Sequence, residues 1–586
     1  MASDRPVPVW RRVVAGVGLA TALASGLPAP PAQAQAQSAG SQDAPGRPLE
    51  APFAHPLTAE PVTSVGARDD DPLSAIDWLS NSFTALPLLP GAGATEGHDA
   101  SDGIRDERIE VHVLGSDTAE VVGLFPAERV GLRRDFWGAT PVDEVVARLH
   151  GLRIDTLPAA QTLILRILLA EFDPPLSPLE EPADAEDPEH AGPGTTPDDP
   201  LLLARVDALQ SFGALEQALQ LVDSGARMTP RLWARWFDLA LLLGEEERAC
   251  SALEGQPRLG PGDAARIYCL ARQGDWAAAM LGLQTAQTLG GLDPTDAALL
   301  ARFLDAEDAD VATTDPVPQI ETPLQWRILE AIGEPVYTHA LPMAFAHADL
   351  RGTAGWRAQI EAAERLTRTG ALEPNRLLGL YTGARAAASG GIWDRVSAVN
   401  LFERALEAGE PEAIGTALER LWQQAQAGEL ETAFAALFAP RLDPAALSGT
   451  AQRIAYEMAL LGPDPVAAAE GPRPEGAHAA FLAAIVTGHP DASLAAQVPN
   501  RATAEAIAAA LAPAEAADVP VPEAMAARIA EGHHGDTVLA ALERLADGAA
   551  GDLRALTEAL ATLRALGLDN VARRAALEAM ILQRTG

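Results

Sequence analysis

The chain has 586 residues, 48% of them hydrophobic and 5% aromatic, with 81 acidic against 43 basic side chains and a formal net charge of −38. It is long enough for about three or four domains and can bury a large core. The acid excess excludes a nucleic-acid binder, which needs a basic face, and a peripheral protein held on anionic lipid. Every basic side chain other than His is Arg, since the sequence contains no Lys. Ala and Leu dominate the composition, which favours packed helices over strands rich in Val, Ile and Thr.

Residues 1–36 read as a signal peptide. Arg5, Arg11 and Arg12 form a positive start, an apolar run covers Val13 to Leu27, and Ala34 and Ala36 fit small-x-small cleavage. The run is shorter than the ~20 residues that span a bilayer, and no later segment is long and uncharged enough to do so. The expected product is periplasmic, with no membrane span after cleavage near residues 34–36 and a net charge near −40. Residues 37–103 read as a disordered lead rich in Pro, Gly and Ala. Within it, residues 72–83 form an amphipathic island around Ile76, Leu79 and Phe83, suited to docking on the body or on a partner.

Residues 104–173 read as a small mixed α/β region. Ile109–Leu114 alternates as a strand does, Glu120–Phe125 is its expected partner, and helices are expected over 141–150 and 159–172. Residues 174–199 read as an acidic, Pro-rich linker. Their acids lack the D-x-D-x-D-G spacing of a calcium loop.

From residue 200 to the C-terminus the chain reads as helical and repetitive, with nine to twelve stacked helix pairs expected. Gly213, Gly244 and Gly274 lie 31 and 30 residues apart, and Ala218, Ala249 and Ala279 each follow at the fifth place. Gly ends one helix in a left-handed cap, and the small Ala lets the next helix approach closely. The Gly-to-Ala spacing returns at Gly428 and Ala433, while Gly535 and Gly567 read as opening the last second helices. The Gly-Asp-Trp-x-x-Ala of residues 274–279 resembles the turn and second helix of the tetratricopeptide and Sel1-like superfamily. That resemblance implies an α-solenoid over 200–586, an all-α body with an extended concave face. The Leu-Ser-Ala-Ile-Asp-Trp-Leu of residues 73–79, the helical body and the Ser-Gly-Gly-x-Trp-Asp-Arg of residues 389–395 also resemble a family of exported bacterial proteins of unknown function that are sometimes labelled as antifreeze-related. The sequence lacks tandem Ala-Ala-Thr, so that label is a compositional accident.

Cys250 falls on the second helix of one expected pair and Cys269 on the first helix of the next, which permits a disulfide in an oxidising compartment; two buried thiols are the alternative. Arg and aromatic residues gather over 321–400 in a chain otherwise poor in rings. From this stretch Trp356, Arg376, Tyr381, Arg385, Trp393 and Arg395 are the candidate binding residues, since aromatic plus Arg is the composition of binding hot spots. The alternative is that these rings fill a wide repeat junction.

No catalytic motif stands out. A Glu-Ser dipeptide of the kind used by soluble lytic transglycosylases is absent, as are a phosphate-binding G-x-x-x-x-G-K-[ST] and a G-x-S-x-G turn. His533 and His534 are adjacent rather than four apart, so no metal site and no cofactor are expected. The function expected from these readings is a non-enzymatic envelope scaffold that grips proteins carrying a basic or extended segment. A peptidoglycan- or carbohydrate-binding protein is the alternative, and a cell-wall lytic enzyme the third reading.

Overall fold

The computed structural model describes residues 122–176, 198–225, 227–255, 260, 262–304, 320–334, 336–386, 388–513 and 521–582. The signal peptide, the lead with its 72–83 island, the strand at 109–114 and residues 177–197 of the linker lie outside the described residues. The described chain is mostly helical, with 25 α-helices and one two-stranded parallel sheet among the described residues.

The first helices have identifiable local causes. In Pro200–Phe212, Pro230–Leu243 and Pro323–Ala331 a proline occupies the first turn, where its missing N–H costs nothing, and Asp199, Thr229 and Thr322 accept from the first-turn amides. Gly213, Gly244 and Gly274 all take positive φ, the conformation that lets one helix stop and the next fold back. Ala218, Ala249 and Ala279 are each fully buried, so the small side chain sits where neighbouring backbones meet. Over residues 200–304 successive helices thus pack on one another.

The helix Glu246–Gly255 and the helix Asp263–Arg272 are joined by a disulfide between Cys250 and Cys269, with Cα atoms 5.1 Å apart. The crosslink closes a 19-residue separation.

Two later positions differ from the repeat reading. The left-handed residue after the helix Pro411–Gly428 is Glu429 (φ 55°), not Gly428. Gly428 itself ends the helix under Arg395, whose side chain would lie 3.1 Å from any added Cβ. Gly535 does not open a helix from outside. It lies inside the helix His534–Ala549, pressed against Trp137 and the Phe136 carbonyl, where a Cβ would meet atoms at 2.7–2.9 Å.

Residues 122–173 belong to the same core as the C-terminal helices. Two stretches read as helical are helices, Val142–His150 and Pro158–Leu169. The strand at Phe125–Pro126 pairs in parallel with Ala170–Glu171, directly after the second of these helices. Arg205 locks this corner by donating to the carbonyls of Leu168, Val122 and Ala170 at 2.9, 2.6 and 3.0 Å. Pro158–Leu169 is buried along almost its whole length and packs on Asp569–Leu582, the last described helix. Glu578 accepts from the Ala159 amide at 2.8 Å, and Arg148 donates to Asp536 and Glu543 at 2.8 and 3.0 Å. One hydrophobic cluster runs from Phe125 to Leu582. A small cavity of about 150 Å³ lies where these first and last helices meet the 367–374 and 432–436 stretches.

Candidate functional site

The residues expected to form one binding face do not share a face. Tyr381 is fully buried, and its hydroxyl donates to Glu364 at 2.7 Å. Burial and the adjacent carboxylate push the Tyr381 phenol well above its ordinary pKa, so it stays a neutral donor. Arg395 grips the same carboxylate with two bonds of 2.7 and 2.6 Å, and Arg368 lies 3.6 Å from it. Glu364, on the helix Trp356–Arg368, is 3% exposed and is the centre of this network. Trp356 and Trp393 are half-buried rings with centroids 5.1 Å apart, and the Trp356 indole N–H is held by the Leu380 carbonyl at 2.9 Å. Only Arg376 and Arg385 are exposed, and Arg376 pairs with Glu216 at 3.2 Å. Tyr381 and Arg395 are therefore corrected from binding residues to interior ones. A desolvated carboxylate needs guanidinium and hydroxyl donors, and these two supply them.

A second gathering of Arg and aromatic side chains opens outward. The helix Trp276–Leu289 packs against Asp263–Arg272 through Ala279, Leu283 and Ala286. Its 14 residues contain no charged side chain. The remainder of its surface exposes Trp276 (48%), Met280 (38%), Leu281 (65%) and Leu289 (79%). These are four of the six large hydrophobic residues exposed among the described ones. The disulfide fixes the helix that carries this one.

At the N-terminal end of the exposed helix lies an open cleft of about 420 Å³. Its wall includes Arg272, Trp276, Phe303, Arg327, Glu330 and Arg351. Trp276 rests on Phe303 with ring centroids 5.9 Å apart, and Phe303 stacks on Tyr268 at 5.6 Å. Behind the cleft, Arg327 pairs with Glu246 and Glu330, and Arg351 reaches Glu330 at 2.6 Å and Glu246 at 3.4 Å. Arg351 also stands over the Trp326 ring at 5.3 Å, and the Trp326 indole N–H is held by the Val336 carbonyl. Burial pushes the Arg327 guanidinium down to about 10, so it remains charged at neutral pH. Its Nε is buried without a hydrogen-bond partner. Arg272, which ends its helix, is exposed and takes part in none of the ion pairs found among the described residues.

Sequence reasoning missed this site. Trp276 was absorbed into the Gly-Asp-Trp turn, and Arg272 stands outside the 321–400 concentration. One signal could have found it: a 14-residue helix without a charge is anomalous in a chain with 81 acids.

Among the described residues no group of three or more His, Cys, Asp or Glu side chains could hold a metal ion, and no helix is long and apolar enough to cross a membrane. Comparison with known proteins returned nothing: no family model matches the chain, nor does any curated protein or solved structure.

Proposed function

We propose that the protein is a non-enzymatic scaffold of the bacterial cell envelope, exported to the periplasm, that holds protein partners on the exposed helix Trp276–Leu289. The stacked helix pairs of residues 200–304 are read as an α-solenoid segment of the tetratricopeptide kind, and this helix as its docking element. The observation that carries the reading is the exposed apolar surface of that uncharged helix. Apolar patches of this kind, rimmed by polar residues, are typical of protein interaction sites. The occupant is a partner segment with an apolar stripe flanked by basic residues. Its stripe covers Met280, Leu281 and Leu289, and its basic flanks answer the net charge of −38. Such binding weakens with salt.

The test is a crosslinked pull-down of the tagged protein from an envelope fraction, followed by mass spectrometry. A variant carrying Met280→Glu and Leu281→Glu runs beside the parent. The expected result is one dominant protein that is lost in the variant and lost progressively with rising salt. A partner retained by the variant, or sedimentation with cell-wall material and no protein enriched, would overturn the reading in favour of a glycan binder or a different face.

A further inference from the structure

Two adjoining hollows take no residue from the stacked helices of 200–304. One is the chamber of about 150 Å³ between the first and last described helices, and the other is a vestibule of about 720 Å³. Gln161 and Arg368 line both, so the two meet there. The chamber wall includes Ala159, Leu372, Pro374, Ala433, Ala436 and Val571. The vestibule wall is more polar, and its Arg153, Asp155, Gln426 and Glu429 are exposed, so it opens to solvent. Charge leaves no surplus in either. In the vestibule Arg153, Arg365 and Arg368 stand with Asp155, Glu429 and Glu431, and the chamber adds Arg166 and Arg574 with Glu373 and Glu578. Behind these walls Asp547 pairs with Arg153 at 2.6 Å, Glu364 lies 3.6 Å from Arg368, and Asp349 acts on Arg365. What is left unmet is a hydroxyl in each hollow. Thr367 in the chamber (8% exposed) and Thr156 in the vestibule (5% exposed) both have a buried Oγ1 without a hydrogen-bond partner among the described residues. A buried hydroxyl can donate once and accept, and leaving it unmade is costly, so an occupant that meets it is favoured.

We propose that the chamber and the vestibule are two halves of one binding site for a small uncharged amphiphile: its compact apolar group enters the chamber and presents a hydrogen-bonding atom to Thr367, and its hydroxylated or amide-bearing head fills the vestibule and reaches Thr156. A chamber of this size holds an apolar group of about six carbons, a single ring. An apolar pocket with a few convergent polar groups is the usual form of a small-molecule site. The lining comes from residues 153–166, 343–374, 426–436 and 546–582, so a bound ligand bridges the start, middle and end of the described chain. It therefore stabilises the closed body by mass action. The site is independent of the docking face on Trp276–Leu289.

The probes are phenyl β-D-glucoside and N-acetylphenylalanine amide, both uncharged, each joining one ring to a hydrogen-bonding head. Binding is read by calorimetry on the full chain, with glucose, phenol, phenyl phosphate and benzylamine beside them. One probe or both should bind at least ~10-fold tighter than glucose or phenol and raise the thermal midpoint. Thr367→Val removes the hydroxyl at nearly constant shape. It should weaken that binding by about 3–10-fold and leave the midpoint of the free protein unchanged or higher, since no protein partner is lost. Ala436→Leu, at a half-buried position on the chamber wall, should abolish the preference over glucose. Met280→Glu with Leu281→Glu should change none of this. Failure of both probes to bind, or binding that survives Thr367→Val and Ala436→Leu alike, would overturn the proposal. Tighter binding of phenyl phosphate or benzylamine would overturn the uncharged ligand. A lower midpoint of the free protein on Thr367→Val would mean that trapped water already meets the hydroxyl, and would overturn the site as well.

Discussion

Two regions of this molecule are made from the same materials and use them in opposite ways. Around Glu364, a tyrosine and two arginines close on one carboxylate, and two half-buried tryptophans pack on each other nearby. Around Trp276, one tryptophan, a phenylalanine and three arginines line an open cleft. The difference lies in the ratio of arginine to acid at each place and in where the acid sits. Glu364 is desolvated and consumes its donors, which makes it a packing element. In the cleft the glutamates are outnumbered and one arginine faces solvent. Aromatic-plus-arginine composition therefore identifies sites of either kind, and the carboxylate decides between them.

The sharpest way to break the comparison is Glu364→Ala. It leaves Arg395 and the Tyr381 hydroxyl inside without their shared acceptor, and the expected loss is about 3–5 kcal/mol in chemical denaturation. A loss below ~1 kcal/mol would mean that the inward cluster is solvated after all. Next in size is the crosslink beneath the outward site. Reduction, or Cys250→Ser with Cys269→Ser, should cost ~3 kcal/mol on the loop-entropy account and should weaken partner capture before it unfolds the body.

A third carboxylate sharpens the contrast. Asp238, on Pro230–Leu243, is pushed up to about 7 by burial, which outweighs the opposing pull of Arg235, itself held bidentately by Asp207 at 2.6 and 2.7 Å. A carboxyl whose folded pKa exceeds its unfolded value near 3.9 favours folding while protonated, and that contribution is lost as pH rises towards 7. Asp238→Asn should therefore raise the thermal midpoint at pH 8, by the equivalent of about 1–2 kcal/mol, and leave it unchanged at pH 4. The same gain at both pH values would contradict this account.

Much of the local structure was legible. The Gly-to-Ala spacing over 213–279 corresponds to real helix ends and buried alanines, because both features are set by neighbours only a few residues away. The helices at 142–150 and 158–169 were legible for the same reason. What the sequence concealed is long-range. Nothing in the 158–169 run says that its apolar sides will be covered by residues some 400 positions later, and nothing near Tyr381 says that Glu364 will take its hydroxyl. Gly428 read as a turn glycine, but the left-handed position falls on Glu429, and Gly428 instead leaves room for Arg395 on its way to Glu364. The cleft was missed because its arginines come from three separate stretches of chain.

The seat of Pro158–Leu169 on Asp569–Leu582 has a consequence for how the molecule is made. A stack of repeats in which each unit touches only its neighbours can acquire order progressively as it emerges, one unit at a time. Here an early helix carries apolar residues on every side and waits for the last described helix before it is fully covered. Contacts of such sequence separation close slowly, and the exposed surface is open to aggregation meanwhile. During synthesis this helix is thus incompletely covered until residues 569–582 arrive, and the body becomes resistant to proteolysis only then.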